Sequence, residues 1–346
     1  MRLTDLLKNL HYSGKADERE ILGIAHDSRK VKPGTLFIAI KGQKTDGYEY
    51  IPNAIKNGAS AIIANGRQID IDHIPIIHVS NTRKAMSKIS ANFYGSPSKN
   101  MKIVGITGTN GKTTVCKLID HMMNKNDIRC GSLGTFGFSN PSGMISTGFT
   151  TPESVDLQQM LNTLKSANIN YAVMEISSHA IDMHRVDDLN VDVAIFTQLS
   201  QDHLDFHQNM ENYFQAKLKL FTRLTSNDFS IINIDDKYGK RICKSINSKL
   251  VTYGFNNQSD IHPISYKLTE NGITANISIK GKELNIKSLL IGKFNLYNIL
   301  ATIATGYILN IPEKKIGYAI DSFNMVNGRM EVIPTKSPGM VIIDYA

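Results

Sequence analysis

The sequence predicts an α/β protein in which a small α/β domain precedes a larger domain with a mostly parallel sheet and a phosphate-gripping loop. Three observations predict it. Strand-like and helix-like apolar patterns alternate along most of the 346 residues, the order that builds parallel sheets with helices on both faces. A glycine-rich run at 105–114, Gly-Ile-Thr-Gly-Thr-Asn-Gly-Lys-Thr-Thr, stands between a β-branched stretch and an amphipathic one. The chain is also longer than one ordinary core supports, so two or three domains are expected.

Over 1–99, short strands at 35–40, 61–64 and 76–79 alternate with helical stretches at 50–57 and 83–94. Gly95-Ser-Pro-Ser-Lys-Asn100 reads as a linker, because glycine and proline punctuate it and no apolar period runs through it. A second domain is expected over 100–332. It opens with Ile103, Val104 and Ile106, a run suited to a buried strand, after which Val115, Leu118, Ile119, Met122 and Met123 recur at helical spacing. Strands follow at 171–176, 191–196 and 229–234, with helices at 154–167 and 210–224. Ligands of such sheets collect at the carboxyl ends of the strands. Runs at 261–268 and 273–279 around Glu270-Asn271-Gly272 predict an appended antiparallel hairpin. The remainder, 333–346, is expected to start a third domain, cut off after a single strand at 340–345 that has no crossover helix.

Composition bounds the function. Hydrophobic residues make up 41% and charged residues 20%, as in a soluble globular protein. The net charge of +8 comes from scattered residues, with no run of five basic side chains and no tryptophan to interleave with them, so small anionic partners suit it and nucleic acid does not. Cys116, Cys130 and Cys243 are odd in number and share no metal or redox spacing, which predicts a reducing cytoplasm. Arg2, Asp5 and Lys8 interrupt the N-terminus where a signal peptide would be apolar. No stretch approaches the ~18 consecutive apolar residues of a membrane span, so no membrane partner is expected.

The loop at 105–114 falls at a helix N-terminus, where unpaired N–H groups and the helix dipole face an anion. Lys112 is placed to reach the β- and γ-phosphates of a nucleotide triphosphate, and Thr113 to ligate its magnesium. The spacing departs from the standard pattern: the glycine six residues before Lys112 falls at Ile106, flanked by Gly105 and Gly108. Glu175 ends an apolar strand, where a carboxylate can hold magnesium opposite the loop threonine. His203 and His207 lie four apart, but Leu204 stands where a zinc protease needs glutamate, so a magnesium or phosphate role for His203 is favoured over zinc. A surface His207 with no role stays open. Lys217, on an amphipathic helix, reads by itself as a solvated lysine.

Together these blocks resemble a known family. Gly-Thr-Asn-Gly-Lys-Thr-Thr at 108–114, Met-Glu-Ile-Ser-Ser-His at 174–179, His184-Arg185-Val186, Asp-His-Leu-Asp-Phe-His at 202–207 and Gly-Arg-Met-Glu at 328–331 are similar to the Mur ligases of E type. Asp27-Ser28-Arg29, Pro33-Gly34 and Asp46-Gly47-Tyr48 look like their UDP-binding first domain. The resemblance runs over the whole chain. It implies a UDP-substrate domain, a central P-loop ATPase domain and a Rossmann-like third domain. It also implies a monomeric, cytoplasmic enzyme that adds the third amino acid, meso-diaminopimelate by default or else L-lysine, to UDP-N-acetylmuramoyl-L-alanyl-D-glutamate in peptidoglycan synthesis.

Residue by residue, the resemblance implies that Gly108, Thr109, Asn110, Gly111, Lys112, Thr113 and Thr114 bind ATP, with Asn295, Asn298, Arg329 and Asp344 near the nucleotide. Thr113 and Glu175 hold one Mg²⁺, and His203 supports a second. Lys217 aligns with the lysine that takes up carbon dioxide as a carbamate, turning a cation into an oxygen ligand. His26, Ser28, Gln43, Lys44 and Thr45 look like uridine and pyrophosphate contacts. Thr150, Thr151, Ser177 and Arg185 match positions that hold the muramoyl-dipeptide, Arg185 forking onto a carboxylate. Met183 and Phe149 depart from the glutamine and asparagine of some members. The implied chemistry is an acyl phosphate attacked by the incoming amine, with Lys112, Glu175, His203 and Lys217 as its catalytic set. F-type and folylpolyglutamate synthetase-like ligases are the enzymatic rivals, and a P-loop switch or an inactive nucleotide-binding fragment the others. The chain is expected to bind UDP-substrate and, weakly, ATP without forming a peptide bond.

Overall fold

A computed structural model describes residues 1–42, 45–66, 71, 73–140, 142–324, 328–329, 331–334 and 340–344, the side chains of 331–334 and 340 excepted. Gln43 and Lys44 lie outside the described residues. The chain forms two compact units, one of Met1–Asn100, Pro152–Ser166 and Ala180–Asn190, the other of Met101–Thr151, Ala167–His179 and Val191–Ala346. Segments 152–166 and 180–190, which the alternation pattern groups with the second zone, thus belong to the first unit. The helix Ser154–Ser166 explains this: it packs on the helix Thr82–Phe93, and Val155 joins Ala85, Met86 and Ile89 in one core.

In the first unit, β1 (Gly23–Ala25), β2 (Thr35–Ile38), β3 (Ala59–Asn65) and β4 (Ile76–Val79) form a parallel sheet in that order. Side chains alternate across a strand, so the wholly buried β2 feeds two cores. Leu36 and Ile38 pack with Ile63 and Met86, while Phe37 packs with Ile62 and Ala54. The expected helix at 50–57 begins as a 3₁₀ turn, Gly47–Tyr50, capped by the Asp46 carboxylate, and continues as Ile51–Lys56. Within the expected linker, Pro97–Asn100 also folds as a 3₁₀ turn.

Among the described residues, the main sheet of the second unit has eleven strands. They are β5 (Lys102–Thr107), β6 (Cys130–Gly134), β7 (Gly137–Asn140), β8 (Gly143–Ile145), β9 (Tyr171–Glu175), β10 (Val193–Phe196), β11 (Phe229–Asn233), β12 (Lys249–Tyr253), β13 (Ile261–Thr269), β14 (Gly272–Ile279) and β15 (Lys282–Ser288). Their order is β15-β14-β13-β12-β11-β10-β5-β9-β6-β7-β8. From β13 to β6 neighbours run parallel, and both ends finish in antiparallel meanders. The predicted hairpin is present as β13 and β14, and β15 extends it to three strands. Because β5 lies between β9 and β10, the loop that follows it opens where the chain direction around the sheet reverses, the usual ligand position in such folds.

Helices Lys112–Lys125 and Lys293–Ile308 pack on each other, the second contributing Leu296, Ile299, Leu300 and Ile303 to the main core. The single unpartnered strand expected at 340–345 is corrected. β17 (Met340–Ile343) pairs antiparallel with β16 (Glu331–Pro334), Glu331 opposite Ile343, so no crossover is needed to satisfy it. Among the described residues no helix is long and apolar enough to cross a membrane.

One buried hydrogen bond fixes the end of β10 next to the ligand loop. The Tyr253 hydroxyl, on a fully buried ring, donates to the Phe196 carbonyl at 3.0 Å. Tyr253→Phe is expected to cost about 1 kcal/mol of unfolding free energy with no change in the surface exposed on unfolding. Urea titration checks it, and an unchanged midpoint would remove this bond from the account.

Candidate active site

The carboxyl ends of β5, β6, β9, β10 and β11 converge, and the site grows from their last residues. Gly108 (φ +151°) and Gly111 (φ +87°) turn the loop at backbone angles that side chains rarely adopt. A Cβ on Gly108 would also collide with Thr197 Oγ1, and one on Gly111 would sit 2.5 Å from Asn298 Oδ1. The Thr197 hydroxyl donates to the Asn110 carbonyl at 2.6 Å, and Asn233 Nδ2 holds the Thr197 carbonyl at 2.8 Å. Thr109 is tied to Ser200, whose N–H reaches its hydroxyl at 3.0 Å. Gly111 caps the helix Lys112–Lys125, so the loop sits on a helix N-terminus as the sequence predicts.

Glu175, fully buried at the end of β9, is the anchor of the acidic side. Its Oε2 accepts from the Thr113 hydroxyl at 2.9 Å and from the Thr135 hydroxyl at 3.3 Å, and its Oε1 from the Thr135 N–H at 2.8 Å. The Glu175 carbonyl accepts from Thr151 Oγ1 at 2.8 Å, and that oxygen accepts the Ser177 N–H at 3.1 Å. Thr150 Oγ1 lies 3.2 Å from Thr135 Oγ1. Thr113, Thr150, Thr151, Glu175 and Ser177 are thus brought together.

Two cations face the loop from inside. Lys112 Nζ donates to the carbonyls of Gly108 at 3.0 Å and Thr109 at 2.6 Å, and Lys217 Nζ donates to the same Gly108 carbonyl at 2.9 Å. Neither forms an ion pair among the described residues. Burial pushes the pKa of Lys112 down, against the pull of Glu175 and Asp202. Burial, and then Lys112 itself, push that of Lys217 well below the ordinary lysine value. The solvated lysine that the helix pattern alone suggests is therefore corrected: Lys217 is 1% exposed, with its ammonium 4.6 Å over the Tyr213 ring.

His203 stands at φ +53°, half exposed, its ring 4.9 Å from His179 and its Nδ1 3.5 Å from Asp202. A surface His207 is corrected too. That ring is buried, stacks on Tyr213 at 5.0 Å, and its Nε2 lies 2.9 Å from Ser178 Oγ. Asn298 Nδ2 donates to Asn295 Oδ1 at 2.9 Å, setting the Asn298 oxygen beside Gly111. Arg329 is near enough to Lys112 to repel its charge, whereas Asp344 is exposed just after β17.

Of the substrate-side residues, His26, Ser28, Thr45 and Arg185 lie in the first unit. Ser28 is buried, its Oγ accepting from Asn53 Nδ2 at 3.2 Å, and neighbouring Asp27 is held near pKa about 2 by the Arg29 guanidinium. Burial lowers the pKa of half-buried His26, opposed by Asp156 and Glu153. Thr45 is exposed. Arg185 follows a turn in which His184 takes φ +58°, and its NH2 lies 2.9 Å from Glu153 Oε1 and 3.5 Å from Met183 Sδ.

Residues 106–306 match the Mur ligase middle domain and 20–94 the Mur ligase family catalytic domain. The chain belongs to the Mur ligase family. The UDP-N-acetylmuramoyl-L-alanyl-D-glutamate–2,6-diaminopimelate ligase of Caldanaerobacter subterraneus subsp. tengcongensis is 40% identical over all of this chain and 71% of its own length. A solved structure of a ligase of that name superposes with a TM-score of 0.86 at 26% identity, over all of this chain and 71% of that one. A MurF from Acinetobacter baumannii shares the fold at TM-score 0.75 and 20% identity, over 99% of this chain and 72% of that one.

As a member of an ATP-dependent ligase family the chain uses ATP and magnesium, and the donor set fits both. Two buried ammonium groups spend their hydrogen bonds on loop carbonyls, and a threonine hydroxyl sits against a buried carboxylate. Several residues of this Mur ligase site carry no signal in the sequence. Thr135 works through its N–H as well as its hydroxyl, and the Asn233 side-chain amide donates to the Thr197 backbone carbonyl. Tyr213 could have been suspected, because it lies four residues before Lys217 and so on the same helix face. Its phenol, pushed up to about 12 by burial, bonds Thr109 at 3.2 Å.

A Cβ at Gly134 would collide with Glu175 Oε1. Gly134→Ala is expected to displace that carboxylate and to weaken magnesium-dependent nucleotide binding ~10- to 100-fold. Nucleotide titrations at stepped magnesium concentrations check this, and an unchanged magnesium dependence would take Glu175 out of the metal site.

Proposed function

We propose that this Mur ligase joins the amino group of 2,6-diaminopimelate, in its meso form, to the γ-carboxylate of UDP-N-acetylmuramoyl-L-alanyl-D-glutamate, in peptidoglycan synthesis. The observation that carries the reading is the 40% identity, over the whole chain, to a ligase of that name. ATP phosphorylates the D-glutamyl carboxylate, the incoming amine attacks the acyl phosphate, and phosphate leaves from the tetrahedral intermediate.

The chain's own groups are suited to that sequence. Loop N–H groups from Gly108 to Thr114 and the Lys112 ammonium bind the phosphates, and Lys112 turns from carbonyl partners to anionic ones. Thr113 and Glu175 would hold one magnesium, with His203 and a carbamate on Lys217 for a second. Bound magnesium offsets the repulsion between two anionic reactants. Carbamylation needs a neutral amine, which the burial of Lys217 favours. Its nitrogen bonds the carbon of CO₂, one proton goes to solvent, and the product carries one negative charge. Asn295 and Asn298 support the loop at Gly111, and Arg329 and Asp344 complete the nucleotide-side set. Thr150, Thr151, Ser177 and Arg185 orient the dipeptide, while His26, Ser28, Gln43, Lys44 and Thr45 take the UDP moiety. No enzyme nucleophile is used, because positioning and charge compensation suffice.

Lys112→Ala is expected to abolish ATP binding in calorimetry, and undiminished affinity would refute the loop assignment. Lys217→Ala should lose amino-acid-dependent phosphate release and regain part of it when a short-chain carboxylate is supplied. Mass spectrometry of the native protein should show one added carbon dioxide, and an unmodified lysine in carbonate-containing buffer would remove the carbamate. The acceptor is tested by supplying 2,6-diaminopimelate and L-lysine separately; phosphate release with L-lysine alone would overturn the diaminopimelate reading.

A further inference from the structure

Arg83 and Glu153 stand 70 residues apart in the chain and meet Arg185 in the first unit. Glu153 Oε1 lies 3.1 Å from Arg83 NH1 and 2.9 Å from Arg185 NH2, and its Oε2 lies 3.2 Å from Arg83 NH1. The side chains are 16%, 9% and 11% exposed in the order Arg83, Glu153, Arg185, so this is a largely buried cluster of two guanidiniums on one carboxylate. Its net charge is +1. A Glu153–Arg185 pair alone would be neutral, and a carboxylate free to fork onto Arg185 would compete with any anion for the same donors.

Arg83 has no local reason to be where it is. It is the second residue of the helix Thr82–Phe93, an end where the helix dipole disfavours a cation. Glu153 immediately precedes the helix Ser154–Ser166, and its carbonyl accepts the Leu157 N–H at 2.9 Å. There a carboxylate is favoured, and it is aimed at both arginines. Arg83 NH2 also reaches the Lys41 carbonyl at 3.4 Å, which fixes the guanidinium from its far side.

We propose that Arg83 is a positioning residue: by occupying the Glu153 carboxylate it keeps Arg185 oriented and positively charged in effect, ready for a carboxylate of the substrate. This rests on the reading of Arg185 as a substrate residue given above. Removing Arg83 leaves Glu153 to neutralise Arg185. Removing the negative charge as well releases it again, so the two substitutions should compensate, which a simple packing role would not produce.

Calorimetry with UDP-N-acetylmuramoyl-L-alanyl-D-glutamate and with ATP tests this on Arg83→Met, Arg83→Lys, the double variant Arg83→Met/Glu153→Gln, and Arg185→Ala. Arg83→Met should weaken UDP-substrate binding ~10- to 100-fold and leave ATP binding unchanged, as expected for loss of one partner in a buried charge cluster. Arg83→Lys should retain most of the affinity, and the double variant should bind several-fold better than Arg83→Met. Parent-like binding by Arg83→Met, or a double variant no better than the single one, overturns the proposal. Unweakened binding by Arg185→Ala overturns the substrate reading beneath it, whereas loss in Arg185→Ala with none in Arg83→Met overturns only the role of Arg83.

Discussion

Glu175 binds together three pieces of chain that the sheet alone would leave independent, two through its carboxylate and one through its main-chain carbonyl. Its oxygens take the hydroxyl of Thr113 from the first turn of the loop helix and both the N–H and the hydroxyl of Thr135 beyond β6. Its own carbonyl takes Thr151. A buried carboxylate is tolerable only when such donors surround it. The arrangement therefore fixes where the loop helix, the β6 turn and the 150–151 segment lie, and Thr113, Thr151 and Ser177 inherit their places from it.

Against that acidic anchor stand Lys112 and Lys217, both directed at the Gly108 carbonyl. Two ammonium groups on one oxygen repel each other, and burial makes each charge harder to keep. The strain is relieved if one cation meets phosphate and the other ceases to be a cation, as the carbamate proposed for Lys217 would provide. Asp202 tempers the field at each lysine without pairing with either. The first unit solves a related problem differently, since there one carboxylate shares two guanidiniums and leaves a surplus charge.

Much of this was legible in the sequence because the chemistry is local. The loop, the strand before it and the helix after it lie within 102–125, and Glu175 ends its own strand. Strands β5, β9, β10 and β11 of the second unit, β2, β3 and β4 of the first and the hairpin at 261–279 could be read from short-range apolar patterns, whereas β1 and β12 could not. What escaped was non-local or patternless. The helix Lys293–Ile308 is apolar nearly all round, so no amphipathic period marks it. Strand β6 is rich in glycine, and β15 has only Leu284 and Ile286 as apolar marks among polar neighbours. Thr135 contributes a backbone N–H, which no side chain advertises. The burial of His207 and Lys217 depends on Tyr213 and the loop packing around them, whereas a helical pattern by itself places a lysine in water. Likewise the strand at 340–343 finds its partner in a stretch whose pairing no periodicity shows.

The position of β5 between β9 and β10 also sets a timetable for synthesis. A strand that carries the nucleotide loop cannot gain its second neighbour until about ninety further residues, through Phe196, have left the ribosome. At ~5–20 residues per second that interval lasts roughly 5 to 18 s, during which Ile103, Val104 and Ile106 have no complete sheet to enter. The first unit is delayed as well, because Ser154–Ser166 and Ala180–Asn190 emerge after β5 although they pack with the chain before it. The nascent protein must therefore hold one sheet unfinished and one core uncovered at once, and both close within the same stretch of translation.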